Sequence, residues 1–263
     1  MIDFQCKNRY ELTDLLQIMQ LLRAPGGCPW DMEQTHQSIR RNMLEEAYEV
    51  AEAIDLEDFD LMKEELGDVL FQVVFHARIA EEAGRFTFAD VVDGVAQKMV
   101  FRHPHVFGSA AAGDSDGAIN TWEAQKQVEK DQRTAADTLD AVARSLPALM
   151  RAEKIQKKAR KAGFDWDSVE PVLDKIAEET AELKQAAREG SNVEEELGDL
   201  LFAAVKAGGF LGVDSELALH AACEKFIRRF RRVEEQANKP MTEMDIPALE
   251  ELWRRAKAED KEA

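Results

Sequence analysis

The chain has 263 residues, of which 45% are hydrophobic and 33% charged, a composition typical of a soluble globular protein rich in helix. Its net charge of −18 argues against binding to the backbone of nucleic acids, which requires a basic surface. Three widely spaced cysteines, and the lack of a charged leader or of a long uninterrupted apolar run, predict a cytoplasmic protein with reduced thiols that is neither secreted nor membrane-spanning.

The first predicted elements are two helices in the N-terminal half. Apolar residues recur at three- and four-residue steps from Ile39 to Ile54 and again from Leu61 to Val73, which is the spacing of one helical face. The short polar segment from Asp55 to Asp58 predicts a turn between them, so the two helices should run antiparallel. Further along, the small and polar segment from Ser109 to Gly117 predicts a mobile loop.

The C-terminal half repeats this arrangement. The polar stretch from Glu129 to Asp140 lacks apolar periodicity and predicts a boundary between two domains, residues 1–132 and 133–263. A second helix pair is predicted around a turn from Arg188 to Asn192, where Asn192 should N-cap the next helix and form a capping box with Glu195. Alternating strand patterns are nearly absent, so the fold class is all-α.

An acidic pattern identifies the two halves as a tandem repeat. Glu-Glu-x-x-Glu begins at Glu45 and again at Glu178, and Glu-Glu-Leu-Gly-Asp begins at Glu64 and again at Glu195, 131 positions later. Because these runs recur in the same order with nearly the same spacing, a duplication is the economical explanation. A third element, Trp-x-x-x-Lys, recurs as Trp122 to Lys126 and Trp253 to Lys257.

The duplicated acids predict a metal site on each antiparallel helix pair. Carboxylates three positions apart lie on one helical face, so two facing helices can direct four of them into one gap. Such crowding needs a divalent cation, and oxygen ligands without cysteine or paired histidine suit Mg²⁺ or Mn²⁺. Gly67 and Gly198, each beside an aspartate, suggest a close approach of the helices. The predicted ligands are Glu179, Glu182, Glu196 and Asp199 in the second repeat and Glu46, Glu49, Glu65 and Asp68 in the first.

Glu-Glu-x-x-Glu followed by Glu-x-x-Asp resembles the MazG family of all-α nucleoside triphosphate pyrophosphohydrolases. Gly27 to Asp31, Arg102 to Phe107 and Ser145 to Leu149 also look like segments of its tandem form, so the resemblance covers nearly the whole chain. It implies two helical-bundle repeats, a homodimer, and Mg²⁺-dependent hydrolysis of a nucleoside triphosphate to the monophosphate and pyrophosphate.

Residue roles follow from the motif positions. Glu178, Glu179 and Glu195 are the predicted catalytic carboxylates, in which Glu178 and Glu195 either support the ligands or orient the attacking water. The resemblance implies that Lys225, Arg228 and Arg229 bind phosphate, that Trp253 stacks on the base and that Lys257 contacts the nucleotide. The full set predicted to bind nucleotide is Lys154, Lys157, Lys158, Trp166, Lys175, Lys225, Arg228, Arg229, Trp253 and Lys257.

The cations distinguish the repeats. Five of them lie between Lys154 and Lys161, ahead of the second acidic pattern, whereas the matching stretch from Leu15 to Leu22 is apolar. This predicts that the C-terminal repeat is the main catalytic unit and that the N-terminal repeat is weaker or serves dimerisation and specificity. Trp30 and Trp166 precede both acidic helices and are either core aromatics or base platforms.

Two other functions fit the same residues. One is a pyrophosphatase of narrow specificity, directed at dUTP or dCTP, in place of a broad nucleoside triphosphate pyrophosphohydrolase. The other is a non-enzymatic helical interaction protein whose acids form a solvated face or bind metal structurally.

Overall fold

The protein is described by a computed structural model that covers residues 4–109 and 113–262. Within these residues it contains thirteen α-helices, one 3₁₀-helix at Met241–Glu243, and no strand, which confirms the all-α prediction. The helices are α1 (Leu12–Arg23), α2 (Pro29–Glu33), α3 (Arg40–Asp55), α4 (Phe59–Glu82), α5 (Phe88–Arg102), α6 (Pro104–Phe107), α7 (Ser115–Glu129), α8 (Ala135–Asp140), α9 (Ala148–Lys161), α10 (Glu170–Glu189), α11 (Val193–Leu211), α12 (Ser215–Gln236) and α13 (Ile246–Glu262).

The chain divides into two compact units, Met1–Lys126 and Gln127–Ala263. The boundary that the sequence predicts between residues 132 and 133 concerns the limits of the two sequence repeats, and it stays a prediction. The polar stretch chosen for it contains the short helix α8, which the sequence reading missed. Thr134 and Asp137 start this helix with a reciprocal capping box.

In the N-terminal unit, α3 and α4 form the predicted antiparallel pair. Asp58 begins α4 by accepting hydrogen bonds from the backbone N–H groups of Asp60 and Leu61, and Glu57 turns the chain with a φ of 55°. The core of this unit centres on Met19, Ile39, Val74 and Phe75, each at most 2% exposed.

In the C-terminal unit, α10 and α11 form the matching pair, and Val172 and Val205 are among its fully buried side chains. The turn is shorter than predicted, because α10 continues through Arg188 and ends at Glu189. Gly190 is its C-cap residue and has a left-handed φ of 69°. A second apolar cluster joins α12 to α13 through Val233, Leu252 and Ala256.

Three further local predictions are wrong. Asn192 precedes α11 but has a φ of 54°, a left-handed conformation in which its side chain makes no capping hydrogen bond, so no capping box with Glu195 forms. The predicted loop ends earlier than Gly117, because Asp114 accepts a hydrogen bond from the Gly117 N–H and α7 starts at Ser115. Residues 110–112 of that loop lie outside the described residues.

The third error concerns the glycines beside the aspartates. A Cβ atom added to Gly67 or Gly198 would meet no atom within 4 Å, so close helix approach does not explain either residue. Both glycines lie on open surface of their helices. In the described part of the chain, every helix is too short or too polar to cross a bilayer.

Candidate active site

Three acidic side chains of the C-terminal unit converge where α10 faces α11. Glu179, Glu196 and Asp199 each offer a carboxylate oxygen, and these oxygens lie within 4.8 Å of one another. Glu179 is only 4% exposed, which is unusual because charged side chains are rarely buried unless they are paired. Three hard oxygen donors at this spacing fit a divalent cation such as Mg²⁺ or Mn²⁺.

Glu182, the fourth predicted ligand, lies beside this group but outside the three converging oxygens. Burial, together with the negative charge and hydrogen bond of Glu179 and the charge of Glu196, raises the pKa of Glu182 above its ordinary value. The carboxylates therefore repel one another, and a cation at this place would relieve that repulsion.

Lys175 supplies one positive charge to the cluster. Its Nζ lies 2.7 Å from Glu179 and 3.1 Å from Glu178, and these two hydrogen bonds raise the pKa of Lys175 above its ordinary value. Glu178 is more than half exposed, and Glu195 is exposed in the first turn of α11. Both carboxylates therefore stay open to water at the edge of the cluster.

A cavity of about 740 Å³ adjoins the cluster, since Lys175, Glu179 and Asp199 are among the residues that line it. Its apolar walls include Trp166 and Phe202, which are 46% and 43% exposed. Trp166 is therefore not a core aromatic, and Trp30, at 57% exposed, is not one either. The volume falls in the range of small-ligand sites.

The sequence reading missed two charged residues in this cavity. Lys206 and Asp165 form an ion pair of 2.5 Å in which the side chains are only 12% and 13% exposed. An isolated lysine inside the apolar run of α11 was the available signal. Comparing the repeats in register would have identified it, because the corresponding residue 131 positions earlier is Phe75.

The predicted cations of α9 do not line this cavity. Lys157 lines a separate cavity of about 330 Å³ together with Arg160, while Lys154 is exposed to solvent. Lys158 is half-buried and lines neither cavity. The residues of α9 that face the large cavity are instead Ile155, Gln156 and Ala159.

The remaining predicted nucleotide contacts lie on α12 and α13. Asp260 accepts hydrogen bonds from Arg228 and Arg229 at 2.7 and 2.9 Å, and these bonds, opposed by burial, hold the pKa of Asp260 well below its ordinary value. Trp253 packs against Phe226 with ring centroids 5.0 Å apart. None of Lys225, Arg228, Arg229, Trp253 and Lys257 lines the described cavity of the C-terminal unit, so their roles stay predictions.

The N-terminal unit contains a matching acidic group. Glu46, Glu49 and Glu65 bring carboxylate oxygens within 4.8 Å of one another. Burial and then the charges of Asp68 and Glu49 raise the pKa of Glu46, and burial with the charge of Glu49 raises the pKa of Glu65. Asp68, the fourth predicted acid, lies outside these three converging oxygens and acts on Glu46 and Glu65 as a neighbouring charge.

Comparison with known proteins agrees with this geometry. The chain matches the MazG nucleotide pyrophosphohydrolase domain twice, over residues 34–107 and 167–233. It is 47% identical over 258 residues to the nucleoside triphosphate pyrophosphohydrolase of Escherichia coli (strain K12), covering 95% of this chain and 98% of that protein. The nucleoside triphosphate pyrophosphohydrolase/pyrophosphatase MazG of Thermotoga maritima is 46% identical over 251 residues, covering 94% and 96%. An uncharacterised Bacillus subtilis protein, YabN, is 43% identical over 254 residues, which are 94% of this chain but 52% of YabN. The chain therefore belongs to the MazG family.

Proposed function

We propose that this member of the MazG family hydrolyses nucleoside triphosphates of several bases to the monophosphate and pyrophosphate in a Mg²⁺-dependent reaction. The class of enzyme, a nucleoside triphosphate pyrophosphohydrolase, follows from the family and from its full-length relatives. The observation that carries the proposal is the acid cluster of α10 and α11 opening into a cavity large enough for a nucleoside.

Glu179, Glu196 and Asp199, with Glu182 beside them, would hold the metal ion. When bound, Mg²⁺ neutralises charge on the phosphate oxygens and lowers the pKa of the attacking water. Mn²⁺ suits the same oxygen donors.

The surrounding side chains have separable roles. Lys175 fixes the carboxylate of Glu179 by its 2.7 Å hydrogen bond, so that this buried ligand has one orientation. Glu178 and Glu195 remain accessible to solvent and can accept the proton of the attacking water. Glu179 belongs both to the proposed metal site and to the lining of the cavity.

The nucleoside would occupy the cavity, where Trp166 offers an aromatic face for the base. Lys225, Arg228 and Arg229 would bind the phosphates. At Arg228 and Arg229 the polyphosphate would have to compete with Asp260, which pairs with both guanidinium groups. Lys154, Lys157, Lys158, Lys175, Trp253 and Lys257 complete the proposed nucleotide contacts through their charges or, for Trp253, through its ring.

We include a cytoplasmic homodimer in the proposal. Both helix pairs leave large apolar side chains uncovered, for example Leu70 at 41% and Leu201 at 48% exposure. Exposed apolar residues of this number on a single chain are typical of a subunit surface. Sedimentation equilibrium would test this part, and a monomer at micromolar concentration would contradict it.

The activity itself is tested by adding Mg²⁺ and, one at a time, the four common ribonucleoside triphosphates, the four common deoxyribonucleoside triphosphates and dUTP to the purified protein. We expect monophosphate and pyrophosphate in equal amounts from several bases, and no product when the metal is chelated. Release from dUTP or dCTP alone would favour the narrow pyrophosphatase. No release from any nucleotide would leave the non-enzymatic interaction protein.

A further inference from the structure

One part of the wall of the large cavity is polar. Gln156 of α9, Asp165 of the following loop and Lys206 of α11 line both the large cavity and the smaller one beside it. These three side chains thus form the partition between the two cavities. Polar groups of this kind, set among apolar walls, are what gives a ligand site its specificity.

The acceptor oxygens of Asp165 are already in use. Its Oδ1 accepts from Lys206 at 2.5 Å and from its neighbour's backbone, the Trp166 N–H, at 2.9 Å, and its Oδ2 lies 3.3 Å from Nε of Arg160. Although burial alone raises it, these hydrogen bonds and charges lower the pKa of Asp165, which therefore stays ionised. The carboxylate consequently serves to hold Lys206 in place and is not the group offered to a ligand.

Lys206 is the group that can offer hydrogen bonds to the cavity. An ammonium group has three N–H donors, and one is directed at Asp165. The centre of the Phe210 ring lies 5.1 Å from the Nζ atom of Lys206 and further limits the position of the ammonium group. Gln156 donates its amide nitrogen to the Phe202 carbonyl at 2.7 Å, which leaves its Oε1 as the acceptor of that side chain.

The position of Lys206 along α11 suits the base and not the phosphates. Lys206 follows Asp199 by seven residues, which is two helical turns and thus about 10 Å along the same face of the helix. A nucleotide whose phosphates lie at Glu179 and Asp199 would extend its ribose and base into the cavity toward Lys206.

We propose that Lys206, held by Asp165, is a specificity-determining residue that donates a hydrogen bond to an exocyclic carbonyl oxygen of the nucleobase. The inference rests on the proposed function and names the substrates that this site favours. Guanine and hypoxanthine carry this carbonyl at position 6 of the purine, and uracil and thymine carry it at position 4 of the pyrimidine, whereas adenine and cytosine carry at the same position an amino group that donates. An amino group facing an ammonium places donor against donor and leaves both without a partner, so these bases are accepted less well.

The test compares nucleotides that differ chiefly at that one position. In the wild-type protein with Mg²⁺, we expect kcat/KM for pyrophosphate release to be roughly tenfold higher or more for ITP than for ATP, and for UTP than for CTP. In the double variant Lys206→Met with Asp165→Asn, which leaves no unpaired carboxylate in the wall, both ratios should fall toward one while ATP is still hydrolysed. Lys206→Arg, which keeps the donor, should retain the preference.

Each failure has a distinct meaning. No pyrophosphate from any nucleotide with the wild-type protein would refute the proposed function. Hydrolysis of ITP and ATP at equal kcat/KM by the wild type would overturn the present inference alone, whether or not the variants fold. A double variant, folded by circular dichroism, that keeps the wild-type ratio would also overturn it. So would an equal loss for all four nucleotides, because that places Lys206 on the phosphates.

Discussion

The N-terminal and C-terminal units carry the same acidic helix pair but differ in what surrounds it. At the positions where the C-terminal unit has Ala203 and Lys206 in the cavity wall, the N-terminal unit has Gln72 and Phe75, which are 6% and 2% exposed. Larger buried side chains therefore occupy the corresponding place. Phe75 belongs to the central apolar cluster of its unit.

A further side chain of the N-terminal unit, that of Arg23, also occupies the place that corresponds to the C-terminal cavity. Arg23 stands 136 positions before Ala159, the same interval that separates Trp30 from Trp166, and Ala159 lines the C-terminal cavity. The guanidinium of Arg23 lies 5.4 Å from the centre of the Phe75 ring. Glu82 pairs with Arg23 at 2.8 Å and fixes it there. Where the C-terminal unit has the small Ala159, the N-terminal unit therefore has the long side chain of Arg23, which is buried and paired with Glu82.

The charge balance of the acids differs as well. Lys175 contacts Glu179 in the C-terminal cluster, whereas the corresponding residue of the N-terminal unit, 133 positions earlier, is the neutral Asn42. In the N-terminal cluster, burial and like charges raise the pKa of Glu46. The two units thus share the acids but differ in the side chains that surround them. Room for the substrate and a compensating cation distinguish the proposed catalytic unit.

The largest expected effect separates the two acid sets. Glu179→Ala or Asp199→Ala should lower kcat/KM for pyrophosphate release roughly a hundredfold or more, since several kcal/mol of transition-state stabilisation depend on the metal. Glu46→Ala and Asp68→Ala should lower it less than about tenfold. Steady-state assays with Mg²⁺ on all four variants would decide this, and equal losses in both sets would end the proposed division between the units.

The next effect tests whether the open cavity matters. Ala203→Gln installs the N-terminal residue in the C-terminal wall and should raise KM roughly tenfold with little change in Tm, because the longer side chain occupies substrate space. Ala204→Gln, on the exposed face of the same helix, is the matched control and should leave KM within about twofold. An unchanged KM in Ala203→Gln would mean that the substrate does not enter this cavity.

A smaller effect is expected from the compensating cation. Lys175→Met should lower kcat/KM about tenfold, because Glu179 loses the hydrogen bond that orients it. Asn42→Met changes the equivalent position of the N-terminal unit and should alter kcat/KM by less than about twofold. Similar losses from both substitutions would show that the two clusters work equally.

The smallest effect is on stability without metal. The pKa of Glu46 is raised, so the folded protein binds this proton more tightly than the unfolded chain does, and ionisation at neutral pH costs stability. Glu46→Gln in chelator should therefore raise Tm by about 1–3 °C at neutral pH. The gain should vanish as the pH falls through the raised pKa toward the ordinary value of 4.5.

Glu179→Gln is the matched control for this measurement. It removes the charge of one of the two carboxylates that pair with Lys175 and should lower Tm under the same conditions. Calorimetric scans from neutral to acidic pH would test both variants. A gain in Tm from Glu179→Gln would contradict the role assigned to the lysine.

Much of the architecture could be predicted, because it depends on local spacing. Three- and four-residue apolar steps place Val172 and Ala186 on one buried face of α10, and the same rule aligns Ile39, the N-cap residue of α3, with Ala53 of that helix. The acidic positions that converge were predicted for the same reason. Local rules failed at Asn192, where the backbone conformation of the turn and not the residue type decided the helix start.

The sequence by itself therefore determined the helical class, the duplication and the faces on which the acids lie, since helical periodicity relates each residue to its neighbours three and four positions away. The tertiary structure decided which unit has space beside its acids. That space depends on side chains from separate helices, such as Ala159 with Ala203 or Arg23 with Phe75. It also decided the Asp165–Lys206 pair, because burial brings together two charges that no local spacing connects.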